Sequence, residues 1–170
     1  MSNYITVLET ERLILSQLNK HDAEFMYELV NSSSWIKYIG DRKIKNLRDA
    51  ARYIKNNYAK DYPKGIGLFC VRQKRSEVPI GTCGLIDRDS LQHPDIGFAL
   101  LDEYAGNGYV YEAARAVLDH AKKALMINKV CAITVAYNSR SINTLLSLGL
   151  KKKRKIRLSG DDEELLYFEN

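Results

Sequence analysis

The spacing of apolar and polar residues along the chain predicts a mixed order of strands and helices. Apolar residues that recur every three or four positions are typical of helices, and short alternating or continuous apolar runs are typical of strands. Four helices are predicted. The first begins after the cap Asn19, the second covers residues 47–58 after the cap Asn46, and the others cover residues 108–125 and 139–148. The strands are predicted at residues 12–16, 68–72, 80–86, 95–101, 130–136, 150–158 and 164–168.

The order of these elements indicates how the strands are connected. Only a charged turn separates residues 68–72 from residues 80–86, which is typical of an antiparallel hairpin. Residues 130–136 are almost continuously apolar and follow the helix 108–125, as expected for a strand buried on both faces after a crossover. The predicted fold class is therefore α/β, with an α+β type of mixed sheet flanked by helices.

The whole chain, residues 1–170, is predicted to form a single domain. No repeat or linker divides it, and 170 residues are enough to bury one hydrophobic core. Hydrophobic residues make up 45% of the sequence, and no apolar stretch approaches the ~18 residues that span a bilayer. Since the N-terminus also lacks a secretion signal, we expect a soluble, cytoplasmic protein without membrane contacts.

The three cysteines and the net charge indicate which kinds of site and ligand to expect. Cys70, Cys83 and Cys131 lie in strand-like runs without C-x-x-C spacing or nearby histidine pairs, which disfavours disulfides and zinc. We therefore expect no metal, and three buried thiols that behave as small apolar side chains. The formal net charge of +5 favours an anionic ligand without identifying it.

A glycine loop at residues 104–109, Tyr-Ala-Gly-Asn-Gly-Tyr, separates a predicted strand from the long predicted helix. Its glycines leave backbone N–H groups unobstructed at the positive end of the helix dipole, where a pyrophosphate can bind. The loop lacks the Lys-Ser or Lys-Thr of a P-loop, and Tyr111 stands where a dinucleotide fingerprint needs glycine. By itself, the loop indicates either an anion site or only a tight turn.

The sequence around this loop resembles that of a known protein family. Residues 103–108, Glu-Tyr-Ala-Gly-Asn-Gly, resemble the acetyl-CoA signature Q/R-x-x-G-x-G/A of the GNAT superfamily of N-acyltransferases. Residues 101–113 are similar to the RimJ/RimL-like branch, which acetylates ribosomal-protein N-termini and in which a GKGYATEA-type segment is usual. Glu103 departs from the wider signature but is common in this branch.

Two further segments resemble the same branch, so that the similarity spans nearly the whole chain. They are residues 9–15, Glu-Thr-Glu-Arg-Leu-Ile-Leu, and residues 138–141, Asn-Ser-Arg-Ser, which lead to Leu148-Gly149-Leu150. Leu150 stands where phenylalanine usually follows the glycine, a departure expected to affect packing only.

The resemblance implies an N-acetyltransferase that uses acetyl-CoA, and a sheet that is splayed at its centre. Its strand 95–101 would pair with the pantetheine arm, its glycine loop would bind the pyrophosphate, and Asn138 would reach the pantetheine. Ser141 would act as the general acid that protonates the departing thiolate, with helix capping or a plain position on the helix surface as the alternative. The expected cofactor-binding residues are Phe98, Ala99, Leu100, Ala105, Gly106, Asn107, Gly108, Tyr109 and Asn138.

The general base and the acceptor site are less sharply indicated. Asp87 and Asp89, just past the strand 80–86, are the candidate bases, with a solvated turn as the alternative. Glu112 resembles the glutamate of the branch's helix, but in the first turn it can simply complement the dipole. Trp35 and Tyr38 are candidate walls of the acceptor site, and a plain core lid is the competing interpretation.

The leading hypothesis is direct transfer, in a ternary complex, of an acetyl group to a primary amine of a protein N-terminus or a small molecule. The alternative is a non-catalytic acetyl-CoA sensor or scaffold that contacts RNA or ribosomes through the basic tract 151–157. Because residues 161–164 are acidic and can balance this tract across a turn, nucleic-acid binding is not expected. The acceptor and the oligomeric state, with a homodimer among the options, stay open.

Overall fold

The computed structural model describes residues 3–159 and 162–170, which form eight strands and five α-helices. The strands are β1 (Thr6–Glu9), β2 (Leu13–Ser16), β3 (Gly67–Gln73), β4 (Pro79–Ile86), β5 (Asp95–Leu100), β6 (Cys131–Val135), β7 (Lys151–Ile156) and β8 (Leu165–Glu169). The helices are α1 (Ala23–Val30), α2 (Ser33–Tyr38), α3 (Leu47–Asn57), α4 (Tyr109–Ala124) and α5 (Ser139–Ser147). No helix within these residues is long and apolar enough to cross a membrane.

The strands form one sheet in the order β1-β2-β3-β4-β5-β6-β8-β7. All neighbouring strands are antiparallel except β5 and β6, which are parallel. Within the described residues, β5 and β6 are paired at a single position, Asp95 with Cys131. The sheet is therefore splayed at its centre, and the predicted α/β fold with a mixed, splayed sheet is confirmed.

The seven predicted strands and four predicted helices are present, and two short elements were not predicted. β1 has four residues, none of which is fully buried, so its sequence lacks a clear apolar alternation. α2 has six residues and buries only Trp35, which is too little for a helical repeat of apolar residues to be visible. Its N-terminus is set instead by the Ser32 side chain, which accepts a hydrogen bond from the Trp35 N–H at 3.3 Å.

Helices cover both faces of the sheet. Phe69 and Val71 of β3 belong to one core cluster with Ala113 and Val117 of α4. Cys70, the residue between them, belongs to a second cluster built largely from α1 and α3. Because successive side chains of a strand point to opposite faces, α4 lies on one face and α1 and α3 lie on the other. α4 thus connects β5 to β6 across one face and begins beside the splay.

A buried ion pair joins the start of α1 to the middle of the sheet. Arg72 on β3 pairs with Asp22, and its Nε donates a hydrogen bond to Ser16 Oγ at 3.0 Å. The guanidinium also lies over the Tyr4 ring, 4.3 Å from its centroid. The second Asp22 oxygen accepts from the backbone N–H of Asn19, whose own side chain forms the other half of a capping box, so the predicted cap is confirmed.

Replacing Asp22 with alanine should destabilise the fold by about 3–5 kcal/mol, because the Arg72 charge would remain buried without its partner. The measurement is urea unfolding followed by circular dichroism. Asp41→Ala is the matched control, since Asp41 pairs with Lys43 on the surface and its loss should leave the free energy of unfolding nearly unchanged. Equal unfolding midpoints for the two variants would contradict a structural role of the buried pair.

Candidate active site

A cleft of about 1100 Å³ opens where β5 and β6 separate. Residues 96–100 of β5 form one side of it, and residues 133–135 of β6 form the other. It runs from Asp95, at the single paired position, to the glycine loop at the start of α4. The splay therefore turns the centre of the sheet into a groove that reaches a helix N-terminus.

The β5 side of the cleft has an unpaired edge. Phe98, Ala99 and Leu100 are paired with residues of β4, Phe98 standing opposite Cys83. Toward the cleft, no strand of the described residues pairs with them, because β6 has already diverged. Peptide groups on this side are thus available to an extended ligand.

The glycine loop lies at the end of the cleft beyond Leu100. Gly106 and Gly108 have left-handed backbones, with φ of 82° and 77°, a conformation that other residues adopt only with strain. A Cβ added at Gly106 would have no heavy atom within 4 Å, so the space in front of this residue is open. The first N–H groups of α4 have no acceptor within the helix, and Gly108 supplies no side-chain cap. Together these groups form a site suited to an anion.

The loop residues do not all face the cleft with their side chains. The cleft is lined by Ala105, Gly106, Gly108 and Tyr109. The Asn107 side chain folds back instead, and its Nδ2 donates to the Tyr104 and Ala105 carbonyls at 3.1 and 3.3 Å. Any contribution of Asn107 to ligand binding is therefore expected from its backbone.

Asn138 and Ser141 lie together at the start of α5 and both line the cleft. Asn138 Oδ1 accepts a hydrogen bond from the Ser141 N–H at 3.2 Å, so Asn138 is the helix cap that the sequence indicated. This bond uses the backbone of Ser141 and leaves its hydroxyl available for other partners.

Asp95 is a cleft residue that was not predicted from the sequence. It is 2% exposed, and its Oδ2 accepts from Arg88 Nε at 2.8 Å, while the buried Oδ1 makes no hydrogen bond of ordinary geometry. Burial raises the pKa of this carboxyl to about 6, although the Arg88 guanidinium and the Ile133 N–H act in the opposite direction. A carboxyl with such a pKa changes its protonation near neutral pH and can act as a general base.

The predicted bases Asp87 and Asp89 lie in the outer part of the cleft, on the loop after β4. Both are exposed, and Asp87 is 3.8 Å from Lys64 Nζ in a solvated ion pair. The structure therefore brings both residues to the cleft, in surroundings that resemble the solvated turn named as the alternative.

Trp35 and Tyr38 also line the cleft, where α2 forms its rim. Trp35 is 5% exposed and belongs to the second core cluster, so that it is both a wall and a part of the core. Tyr38 stands 6.0 Å from the ring of Tyr137, whose hydroxyl donates to Glu163 Oε1 at 2.8 Å. The two tyrosines thus connect α2 with the segment before β8 at the mouth of the cleft.

The cysteines offer no nucleophile to this site. Cys70, Cys83 and Cys131 are all buried and free, as the sequence predicted. Burial raises the pKa of the first two thiols far above the ordinary value, and that of Cys131 to about 11. None of them is a reactive thiolate at neutral pH.

The basic tract forms β7 at an edge of the sheet, away from the glycine loop. Part of its charge is matched internally, since Lys155 Nζ lies 2.7 Å from Glu164 Oε1. The Arg154 guanidinium lies over the Tyr167 ring, 4.3 Å from its centroid. These contacts are typical of a solvated strand, the interpretation that the sequence favoured, and contact with RNA stays the alternative hypothesis.

Comparison with known proteins shows which family the chain belongs to. Residues 12–151 match the acetyltransferase (GNAT) domain. The uncharacterised N-acetyltransferase YoaA of Bacillus subtilis (strain 168) is 26% identical over 153 residues, which cover 89% of this chain and 86% of the relative.

Solved structures of acetyltransferases share the fold. RimL, a ribosomal alpha-N-protein acetyltransferase in complex with coenzyme A, superposes with a TM-score of 0.82 at 12% identity, over 97% of each chain. The microcin C7 self-immunity acetyltransferase MccE, in complex with acetyl-CoA and AMP, gives 0.79 at 18% identity, over 95% of this chain and 93% of its own. The chain therefore belongs to the GNAT family of acetyltransferases and is an acyltransferase enzyme, and acetyl-CoA is the donor that this family uses.

Proposed function

We propose that this enzyme transfers an acetyl group from acetyl-CoA directly to a primary amine within a ternary complex. The observation that supports this function is the convergence of three features on one cleft: the unpaired edge of β5, the glycine loop and the start of α5. Acetyl-CoA is an extended thioester with a pyrophosphate. Its extended arm suits the unpaired edge of β5, its pyrophosphate suits the glycine loop, and its thioester suits the start of α5. The acceptor is a protein N-terminal amine, as in the RimJ/RimL-like branch, or a small-molecule amine.

The donor would be held mainly by backbone groups. N–H groups of the loop Ala105–Tyr109 and of the first turn of α4 bind the pyrophosphate, and the edge of β5 at Phe98, Ala99 and Leu100 pairs with the pantetheine arm. Asn138 contributes its side-chain amide to the same arm. A β5 N–H directed at the thioester oxygen would polarise the carbonyl and stabilise the negative charge that develops there.

The transfer requires two proton movements. The amine nitrogen attacks the thioester carbonyl carbon, the carbon–sulfur bond breaks, and the sulfur leaves as a thiolate. Asp95 accepts the proton that the amine loses, directly or through one water. The Ser141 hydroxyl gives its proton to the sulfur and regains one from solvent. A free thiol has a pKa of about 8.5, so this acid needs to supply only modest assistance.

Asp95 is preferred here to Asp87 and Asp89 as the base because it is buried at the closed end of the groove. A carboxylate that is poorly solvated holds a proton more readily than an exposed one, and therefore removes one from an amine more effectively. Asp87 and Asp89 remain competing candidates, and as exposed anions they also suit the attraction of a cationic amine into the outer cleft. Trp35 and Tyr38 would form the walls against which the acceptor lies.

The test is to incubate the purified protein with acetyl-CoA and a panel of N-terminal peptides, polyamines and aminoglycosides, and to follow release of the free thiol. Acceptor-dependent thiol release, with acetylated product detected by mass spectrometry, is the expected result. Binding of acetyl-CoA without turnover on any acceptor would contradict catalysis and favour the sensor or scaffold.

A further inference from the structure

Two segments that do not line the cleft contact each other next to the glycine loop. Thr10 and Arg12 lie in the turn between β1 and β2, and Glu112 lies in the first turn of α4, about 100 residues later. Arg12 Nε donates to Glu112 Oε2 at 2.6 Å, and the Arg12 backbone N–H donates to Glu112 Oε1 at 2.9 Å. The Thr10 hydroxyl donates to the same Oε1 at 2.5 Å. The carboxylate is therefore held by three donors.

The Arg12 guanidinium extends from this carboxylate to the glycine loop. Its Nη1 donates to the Asn107 carbonyl oxygen at 3.0 Å, and its Cζ lies 4.7 Å from the centroid of the Tyr109 ring. A Cβ added at Gly108 would lie 3.5 Å from Arg12 Nη2. One side chain thus contacts the loop, the first helical residue and the first-turn glutamate.

The bond to Asn107 determines where the next amide points. In a trans peptide the C=O and the following N–H point in opposite directions. Because the Asn107 carbonyl is directed at Arg12, the Gly108 N–H is directed away from Arg12, toward the opposite side of the loop. The Asn107 side chain already folds the loop back on itself, and the Arg12 contact adds a fixed orientation for the peptide between Asn107 and the flexible Gly108.

Arg12 also removes an electrostatic conflict. An unpaired Glu112 carboxylate in the first turn of α4 would repel an anion bound at the same helix end. Burial alone would raise the Glu112 pKa, but the hydrogen bonds from Thr10 and Arg12 outweigh it and hold the pKa below its ordinary value. The glutamate is therefore ionised at neutral pH and is neutralised by Arg12 on the side of the loop away from the opening.

We infer that Arg12 is a positioning residue that fixes the backbone amides of residues 106–108 for the pyrophosphate of acetyl-CoA. This inference rests on the proposed function, since it assumes that the loop binds that group. The role of Arg12 is to set donor affinity, without contact with the reacting atoms.

The first measurement is the dissociation constant of coenzyme A by isothermal titration calorimetry. Arg12→Ala should raise this constant about tenfold, the effect expected when a charge-assisted contact that orders the site is lost. The KM for acetyl-CoA should rise in parallel, while kcat at saturating acetyl-CoA and the KM for the acceptor change by less than about twofold.

Arg12→Lys separates positioning from charge attraction. Lysine keeps the positive charge but cannot bond the glutamate and the Asn107 carbonyl with one planar fork, so most of the affinity loss should remain. Arg115→Ala is the matched control, because Arg115 forms an exposed ion pair with Asp119 at 3.6 Å farther along α4. Affinity in this control should match that of the wild type. Full recovery of affinity in Arg12→Lys would overturn the inference.

Hydrogen exchange provides a readout that does not depend on turnover. In the unliganded protein, the Glu112 amide, which donates to the Gly108 carbonyl at 3.1 Å, should exchange faster in Arg12→Ala than in the wild type, with unchanged protection in β4. Tight coenzyme A binding by both proteins would refute the inference and leave the proposed function standing. Failure of the wild type to bind coenzyme A would refute the proposed function itself.

Discussion

Asp95→Asn is expected to lower kcat/KM for the acceptor amine by about 10²-fold or more at pH 8, the lower range for loss of a general base. Asparagine is nearly the same size and cannot accept the amine proton. In the wild type, activity should rise with pH through about 6 as Asp95 loses its proton. This acidic limb should be absent from the profile of the variant, so the measurement is kcat/KM between pH 5 and pH 9.

Three further variants make this prediction specific. Arg88→Gln should move the acidic limb to higher pH, because the guanidinium lowers the Asp95 pKa. Asp87→Asn and Asp89→Asn should retain the limb, since both side chains are exposed. If Asp95→Asn kept the wild-type profile while Asp87→Asn or Asp89→Asn lost it, the base would be one of the outer carboxylates.

Loss of the Asp95 proton should raise activity but lower the free energy of unfolding. Because the folded pKa lies above the value of 3.8 for an unperturbed carboxyl, the folded protein holds the proton more tightly than the unfolded chain does. The stabilisation associated with neutral Asp95 is present below pH 4 and is lost as the pH rises through about 6. The protonation state that we propose for catalysis is thus the less stable one.

Ser141→Ala should lower kcat about 10²-fold while leaving the dissociation constant of acetyl-CoA within about threefold of the wild type. The hydroxyl is lost, but the hydrogen bond that the residue 141 backbone N–H donates to Asn138 Oδ1 is retained. The start of α5 should therefore keep its geometry. The effect lies at the lower end for a general acid because a thiolate is a good leaving group.

The pH dependence of this variant distinguishes an acid from a structural residue. A thiolate needs less protonation as the pH approaches about 8.5, so the difference from the wild type should narrow at alkaline pH. Ser147→Ala, at the exposed end of the same helix, is the control and should behave as the wild type. Unchanged kcat in Ser141→Ala would remove the serine from the mechanism.

The sequence revealed the parts of the site that depend on neighbouring residues. Gly106 and Gly108 indicated an anion site because glycine, an open turn and a following helix are all local properties. Asn138 was predicted as a cap for the same reason, since capping involves residues three positions apart. The apolar run 130–136 was enough to predict the parallel strand beside β5.

Features that depend on distant contacts were not predicted. Asp95 looks like an ordinary strand start after His93-Pro94, but in the fold Arg88 contacts its carboxylate and β6 returns beside it at Cys131. Glu112 resembled a dipole-complementing residue until the fold brought Arg12 and Thr10 to its carboxylate. β1 and α2 were missed because their short segments are held by the sheet edge and by a serine cap.

In the part of the chain that the structure describes, the single paired position between β5 and β6 divides the sheet into a group of five strands and a group of three. If the proposed donor lies along β5, it fills the seam between the two groups and completes the hydrogen bonding of the sheet. By mass action, a donor at one hundred times its dissociation constant would stabilise the fold by about 2.7 kcal/mol. Resistance of the enzyme to unfolding and proteolysis would then follow the supply of acetyl-CoA, so that its lifetime in the cell reports the donor pool even when no acceptor is present.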